Sequence, residues 1–263
     1  GCPFTCSFCA NHTLYGTKMV YRPDCVVKTD LEKALSFPTT RKLILAEPNA
    51  TIPTKKHKKH FKELLQMMVD AGFKKEKHQA LIFVKPSYTD DDYFEMLGEY
   101  SDRLNYLVFP GIENFNNEAL KNLGKKETKE SLFEFYDKVI KNPAGITSVL
   151  GYIIFGHPLD SESLLQENLE ATKQVIDMFL RSPIDFKLGP VLLMLVPETK
   201  YYQEAYLYPD KYDLSIIDFE HPYFETAGPI VGLKYDWAAE VIDRMNRFSL
   251  LQREYRKKIG MPE

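Results

Sequence analysis

Three cysteines near the start of the chain have the residue type and spacing of metal ligands. Cys2, Cys6 and Cys9 form a C-x3-C-x2-C pattern. Three thiolates can bind three irons of a four-iron cluster and leave the fourth iron open to another molecule. A second chemistry is equally allowed by the residues. With His12 the pattern becomes C-x3-C-x2-C-x2-H, which offers four ligands for zinc in a non-catalytic α/β protein.

The remaining composition is that of an ordinary globular protein. The chain has 263 residues, of which 44% are hydrophobic and 27% are charged. Lysine and arginine number 34 and aspartate and glutamate 37, so the net charge is −3. This balance disfavours a nucleic-acid partner. No apolar run approaches the roughly 18 residues that a membrane-spanning helix needs.

The cysteine count argues against disulfides. Three of the four cysteines lie within eight positions, and Cys25 is left over as a plain thiol, a reactive thiol or a fourth ligand. Clustered thiols indicate metal binding in a reducing compartment, and we therefore expect a cytoplasmic protein.

The residues between the cysteines resemble those of the radical S-adenosylmethionine (SAM) superfamily. Pro3 follows the first cysteine and Phe8 precedes the third. The resemblance implies a [4Fe-4S] cluster on Cys2, Cys6 and Cys9, whose open iron chelates the amino and carboxylate groups of SAM. It also implies an electron donor such as flavodoxin or ferredoxin.

Strand-like and helix-like segments alternate along the chain. Short apolar runs predict strands at 43–45, 81–84, 106–109, 149–155 and 186–195, with amphipathic helices between them. This order predicts an α/β fold with a parallel sheet. The family resemblance narrows it to a partial (β/α)6 TIM-like barrel. In that family a strand precedes the cysteine loop, so we expect that the first strand is missing and that the chain is N-terminally truncated.

The same comparison divides the chain into two parts. Residues 1–205 carry the matched motifs and are expected to form the radical SAM core. Residues 206–263 are expected to be an extension that caps the barrel, with a function that the sequence does not reveal. The aromatic tract at 201–223 either lines a substrate pocket in this cap or only packs.

Polar residues just after the strands are the expected ligand contacts, since ligands of parallel α/β folds bind at the carboxyl ends of strands. Glu47 follows the strand at 43–45 and resembles the family's Gly-Gly-Glu, without its glycines. Gly111-Ile112-Glu113-Asn114 and the downstream Lys125 resemble a segment that reaches the ribose or methionine part of SAM. The resemblance therefore implies SAM contacts at Glu47, Gly111 and Glu113.

The strand at 149–155 is expected to contact the adenine. Its sequence resembles the family's Gly-x-Ile-x-Gly pattern and ends at Gly156. We expect Phe8 and Ile153 to bracket the adenine ring, although either Ile153 or Ile154 must face the core because strand neighbours point to opposite sides. His157 is a hydrogen-bonded structural residue or a substrate-side acid or base.

The segment after the last strand indicates the branch of the superfamily. Residues 197–202 resemble a Pro-Gly-Thr-x-Leu-Tyr motif that is frequent in the cobalamin-associated and oxidative-cyclase branches, with Glu198 in place of the glycine. Cobalamin on a domain upstream of Gly1 is therefore one option.

The predicted activity is reductive cleavage of SAM. The resulting 5′-deoxyadenosyl radical would abstract hydrogen from an unidentified substrate, for methyl transfer or cyclisation. A methylthiotransferase acting on transfer RNA is disfavoured, because the sequence shows no C-terminal RNA-binding domain and its net charge is negative.

Overall fold

A five-stranded parallel sheet forms the centre of the molecule in the computed structural model, which describes residues 1–45, 49–216 and 232–261. The strands lie in chain order, and each pairs in parallel with the next. Their bounds are β1 Lys42–Ile44, β2 Gln79–Val84, β3 Tyr106–Pro110, β4 Ile146–Phe155 and β5 Asp185–Leu192. The predicted α/β class and parallel sheet are confirmed; the missing first strand, which would be the sixth of the sheet, stays a prediction.

Helices connect the strands and cover one side of the sheet. Their bounds are α1 Asn11–Tyr15, α2 Asp24–Ser36, α3 Lys55–Asp70, α4 Asp91–Gly98, α5 Asn117–Asn122, α6 Lys129–Lys141, α7 Glu162–Phe179, α8 Lys200–Glu204 and α9 Tyr235–Lys258. Six of them begin at a residue whose side-chain oxygen accepts a hydrogen bond from the first turn. These residues are Thr54, Asp90, Asn116, Thr128, Ser161 and Thr199. Within the described ranges, no helix is long and apolar enough to cross a bilayer.

One helix starts earlier than its sequence suggests. Thr29 and Glu32 have the spacing of a capping box, which predicts a helix start at Thr29. Instead α2 begins at Asp24, directly after Pro23, and the Thr29 hydroxyl donates to the carbonyl of Cys25 within the helix. Proline readily precedes or opens a helix because its φ is already near the helical value, and Asp24 suits the positive end of the helix dipole.

The two sides of the sheet differ in burial. Side chains on the helix-covered side are almost fully buried, as at Ile82, Val108 and Ile153. Alternate residues of the same strands, such as Phe83 and Tyr152, are only partly buried. The core therefore lies between the sheet and the helices, and the opposite side of the sheet is open.

The C-terminal helix belongs to the covered side. In α9, Phe248 packs edge-on against Phe155 at 5.6 Å between ring centroids, and Arg256 donates to the carbonyl of Phe186. The cap over the barrel that the sequence predicted for 206–263 stays a prediction. Residues 217–231 of that segment, with part of its aromatic tract, lie outside the described residues. The division at residue 205 stays a prediction.

Candidate functional site

The cysteine loop is held from its middle. The amide of Ser7 donates to the carbonyl of Leu123 at 2.9 Å, and its hydroxyl donates to the carbonyl of Asn122 at 3.1 Å. The Ser7 carbonyl accepts from the amide of Tyr201 at 2.9 Å. Because Ser7 is buried, these bonds are shielded from water and fix the loop between the end of α5 and the start of α8.

A glycine makes this contact possible. Gly124 has φ +71°, in the left-handed region that favours glycine. A Cβ atom at this position would lie only 3.0 Å from both the amide nitrogen and the hydroxyl oxygen of Ser7. Gly124 therefore ends α5 and allows the backbone of the cysteine loop to approach closely.

The three cysteines of the motif border one pocket. Cys2, Cys6 and Cys9 carry free thiols and line a cavity of about 350 Å³ at the carboxyl ends of β2 to β5. Burial raises the pKa of Cys6 to about 11, although Lys125 opposes this, and burial also raises the pKa of Cys9. Bound metal would reverse this preference, because coordination deprotonates a thiol.

The arrangement suits a cluster better than a single ion. Among the described residues, no group of three or more histidine, cysteine, aspartate or glutamate side chains is placed to hold one metal ion. Cys2, Cys6, Cys9 and His12 thus do not assemble a tetrahedral zinc site there. A four-iron cluster places a weaker requirement on the positions of the sulfur atoms. Each thiolate binds a different iron, so the three need only border the same cavity.

Glu113 sits in a strained turn beside the cysteines. Its φ of +58° is rare for a residue with a side chain. Two bonds to β4 hold it there: its amide donates to the carbonyl of Tyr152, and its carbonyl accepts from the amide of Ile154. Such strain costs about 1–3 kcal/mol and persists where the surroundings impose it, often at functional sites.

The Glu113 carboxylate is not fully satisfied. Oε2 of Glu113 lies 2.8 Å from Nζ of Lys125. This is the distance of a close ion pair, and because a carboxylate oxygen has two lone pairs, Oε2 keeps acceptor capacity on the pocket side. Lys125 also donates to the carbonyl of Gly111 at 2.9 Å.

A second buried ion pair extends this group. Lys85 donates to Glu127 at 2.8 Å, and Ser87 donates to the other oxygen of the same carboxylate. Lys125 lies 3.9 Å from Glu127. Positive and negative charges therefore alternate along Lys85, Glu127, Lys125 and Glu113. This set is called the buried charge cluster below.

The pKa values follow from this alternation. Burial alone would lower the pKa of Lys125, but the negative charges of Glu113 and Glu127 raise it well above the usual lysine value. Burial likewise opposes ionisation of Glu127, and the attraction of Lys125 and Lys85 outweighs it and lowers the pKa. Lys125 and Glu127 are therefore both charged at neutral pH.

An unsatisfied donor completes the pocket. The side-chain oxygen of Asn49 accepts from the amide and hydroxyl of Thr51, while its Nδ2 is buried with no partner among the described residues. The pocket thus offers a free acceptor at Glu113, a free donor at Asn49 and three thiols. These match the ammonium and carboxylate groups of an amino acid beside a metal cluster, so the residues present fit SAM and a [4Fe-4S] cluster.

The structure brings together only part of the predicted cofactor contacts. Phe8, Gly111 and Glu113 line the pocket with the cysteines, and Ile154 lines it as well. Ile153 is fully buried on the helix-covered side of β4. Ile154, and not Ile153, therefore lines the pocket together with Phe8, and the expected contact with adenine stays a prediction.

Two further predicted contacts are not among the described residues that line the pocket. Gly156 is not part of the pocket lining; its amide donates to the carboxylate of Asp160, and its Cα packs near Leu192 and Val241 of the core. Glu47 lies outside the described residues, so its expected contact with SAM stays a prediction.

His157 has the surroundings of a structural residue. It is fully buried away from the pocket, with its Nε2 3.4 Å from the side-chain nitrogen of Asn114. Burial, with the nearby charges of Lys211 and Arg244, lowers its pKa to about 3. His157 is therefore neutral at physiological pH.

Sequence reasoning assigned no role to Asn49 or Lys85. Both lie just beyond strands, at the edge where ligands of parallel α/β folds bind, so their positions carried a usable signal. Lys85 follows β2 directly, and Asn49 follows β1 by five residues. The pairing of Lys85 with Glu127, 42 residues away, has no local signature.

The comparisons with known proteins agree with this geometry. No family model matches the sequence. The chain is 27% identical over 229 residues to the bacteriochlorophyllide d C-12(1)-methyltransferase of Chlorobaculum tepidum, covering 86% of this chain and 45% of that protein. The chain thus spans less than half the length of this curated relative.

Solved structures share the fold. The chain aligns with the radical SAM methyltransferase TsrM of Kitasatospora setae at a TM-score of 0.60 and 17% identity, covering 94% of this chain and 45% of that one. It aligns with coproporphyrinogen III oxidase HemN of Escherichia coli, a radical SAM enzyme, at a TM-score of 0.54 and 16% identity, covering 94% and 50%. The chain therefore has the α/β fold of radical SAM enzymes, and the resemblance predicted from its cysteine motif is confirmed.

Proposed function

We propose that the chain is the catalytic core of a radical SAM enzyme. Cys2, Cys6 and Cys9 would hold a [4Fe-4S] cluster, and SAM would occupy the adjoining pocket. The observation that carries this proposal is the shared cavity, lined by three free thiols, by the Glu113 carboxylate with its remaining lone pairs, and by the Asn49 side chain, whose amide nitrogen has no partner among the described residues. When bound, the cluster would supply one electron to the sulfonium of SAM and so release a 5′-deoxyadenosyl radical.

The residues of the pocket would orient SAM. Glu113 would accept from the SAM ammonium, and Asn49 would donate to its carboxylate. Lys125, 2.8 Å from Oε2, places a positive charge beside the Glu113 carboxylate, so the acceptor is positioned before SAM arrives. Phe8 and Ile154 would flank the adenine, and the anchored Ser7 would keep the cysteine loop in position.

Methyl transfer is the reaction class that the relatives favour. The Chlorobaculum protein and TsrM are both methyltransferases by name. TsrM is also described with cobalamin bound. We infer that this chain supports methyl transfer, with cobalamin held by a part of the protein beyond the sequence given. Hydrogen abstraction for cyclisation is the alternative outcome on the same cluster.

The test is anaerobic reconstitution of the full-length protein. About four irons and four sulfides per chain are expected. Addition of SAM with dithionite, or with reduced flavodoxin or ferredoxin, should yield 5′-deoxyadenosine; a cobalamin-loaded protein should in addition transfer a labelled methyl group from SAM. Bound zinc, with neither cluster nor SAM turnover, would contradict the proposal.

A further inference from the structure

Three aromatic rings pave the floor of the candidate pocket. Phe83 of β2, Phe109 of β3 and Tyr152 of β4 lie side by side on neighbouring strands and all line the pocket with the cysteines. The ring centroids of Phe83 and Phe109 are 5.3 Å apart, and those of Phe109 and Tyr152 are 5.1 Å apart. These three residues are called the aromatic floor below.

The aromatic floor is not ordinary core. Its residues point away from the helices and are only partly buried; Tyr152 is 37% exposed. Their strand neighbours Ile82, Val108 and Ile153 point the other way and are at most 1% exposed. Three adjacent, partly exposed aromatic rings form an apolar patch of the kind that marks a binding site.

The floor ends where its neighbour on β5 has no side chain. Gly189 is the partner of Tyr152 in the sheet, and a Cβ atom at Gly189 would lie 3.2 Å from the Tyr152 ring. Glycine in a strand often marks the close approach of another group. Here that group is the Tyr152 ring itself, which lies against the backbone of Gly189.

Charge is separated from this surface along the strand direction. The charged residues of the pocket lining are Lys85, Glu113 and Lys125, all of which come after the strands. Lys85 is two residues beyond Phe83, a rise of about 7 Å along the strand. Glu113 lies nearer to the rings, since its amide donates to the carbonyl of Tyr152, and the three rings themselves carry no charged neighbour on their own strands within the pocket lining.

We propose that the aromatic floor binds the substrate, and that this substrate is a flat, extended, conjugated ring system. Rings at about 5 Å spacing offer stacking and edge contacts to a planar molecule along its whole length, which an aliphatic chain does not use. A molecule lying on the floor would have one edge toward the cysteine end of the pocket. The word substrate rests on the proposed function, whereas the binding itself does not.

Binding of protoporphyrin IX, a planar conjugated tetrapyrrole, tests the proposal. The full-length protein is titrated without cluster or SAM, and the shift of the porphyrin absorbance and fluorescence is followed. We expect saturable binding of one porphyrin per chain that palmitate, an aliphatic probe, does not displace. Absence of saturable binding, or displacement by palmitate, would overturn the proposal.

Matched variants locate the binding surface. Phe109→Leu and Tyr152→Leu remove a ring and keep an apolar side chain, and each should weaken porphyrin binding about tenfold. Phe37→Leu makes the same change at an exposed ring outside the pocket and should leave binding unchanged. Equal affinity of all three variants and the wild type would refute the aromatic floor as the site.

The outcome is separable from that of the proposed function. Formation of 5′-deoxyadenosine is measured on the reconstituted protein in the absence of porphyrin. Porphyrin binding without SAM cleavage would leave the floor as a binding site and remove the radical chemistry. SAM cleavage with no porphyrin binding would support the radical chemistry and remove the aromatic floor as a binding site.

Discussion

Lys125 and Glu113 form an ion pair at the edge of the cysteine pocket, with their side chains only 5% and 16% exposed. The two residues come from different segments after β3, and the lysine also binds the carbonyl of Gly111. A buried ion pair needs such additional contacts to offset the cost of removing both charges from water. The pair thus holds the Glu113 carboxylate at the pocket edge with a positive charge beside it.

Replacing the carboxylate should separate SAM binding from cluster assembly. In Glu113→Gln the cysteines are untouched, so iron content should remain, whereas loss of a charge-assisted hydrogen bond should weaken SAM binding about tenfold to a hundredfold. Equilibrium dialysis with labelled SAM on the reconstituted protein measures this. Glu118→Gln, at an exposed position on α5, serves as the matched control. Unchanged SAM affinity in Glu113→Gln would remove Glu113 from the binding site.

Breaking the Lys85–Glu127 ion pair of the buried charge cluster should lower the free energy of unfolding. Lys85→Met leaves the fully buried Glu127 without its 2.8 Å partner. Loss of one partner of a buried pair costs about 3–5 kcal/mol. The free energy of unfolding, measured with urea, should fall by about 3 kcal/mol, and the double variant Lys85→Met/Glu127→Met should recover part of it. A double variant no more stable than the single one would contradict the pairing.

The assignment of the cluster ligands is tested by comparing two cysteine variants. Cys6→Ala should lose the visible absorbance of the iron–sulfur cluster and all 5′-deoxyadenosine formation, because one of the three cluster ligands is gone. Cys25→Ala removes an exposed thiol on α2 and should change neither. Iron retained at wild-type level in Cys6→Ala, or lost in Cys25→Ala, would show that the ligand set is misassigned.

Gly124→Ala should act on the cluster from outside the cysteine loop. The added methyl group meets the amide and hydroxyl of Ser7 at 3.0 Å and occupies a backbone conformation unfavourable for alanine. We expect a loss of about 1–3 kcal/mol in stability and faster loss of iron to a chelator. Gly72→Ala is the control, since it has a similar positive φ but open space around it. Equal iron release from both variants would mean that Gly124 does not support the loop.

His157 should make the fold sensitive to acid. Its pKa is about 3 in the folded protein and near 6.5 in the unfolded chain, so the unfolded state takes up a proton first as the pH falls. The contribution of neutral His157 to the free energy of unfolding is fully present above pH 6.5 and is lost as the pH falls from 6.5 to 3. Each pH unit in this window costs at most about 1.4 kcal/mol.

The variant His157→Gln isolates this effect. It keeps a polar partner for Asn114 and cannot titrate, so its urea stability should fall less steeply from pH 6.5 to 4 than that of the wild type. The neighbouring Asp160, Lys211 and Arg244 are present in both proteins, so the difference reports on His157 alone. Parallel pH profiles would show that His157 is not buried and neutral.

The order of elements and the end of the sheet that carries the site were readable in the sequence. Short apolar runs predict the strands, and the rule that parallel strands present ligands at their carboxyl ends points to Gly111 and Glu113. The cysteine spacing predicts the cluster ligands, which the structure places in one pocket.

The choice between Ile153 and Ile154 was beyond the sequence. Alternation states that they face opposite sides but not which side is open. The answer depends on which side of the sheet the helices cover, and in the structure they bury Ile153 and leave Ile154 in the pocket lining. Likewise α2 starts at Asp24 because the local effect of Pro23 prevails over the capping spacing at Thr29.

The anchoring of Ser7 has a consequence for how the protein matures. Ser7 contacts Asn122 and Tyr201, which are 115 and 194 positions later in the chain. Contacts so distant in sequence form late, because the intervening segments must first be folded and brought together. The cysteine loop is made before α5 and α8 on the ribosome, but it gains its fixed shape only once they have folded. Iron would therefore enter a nearly finished fold, and any change that delays the docking of α5 or α8 should leave the thiols exposed to oxidation for longer.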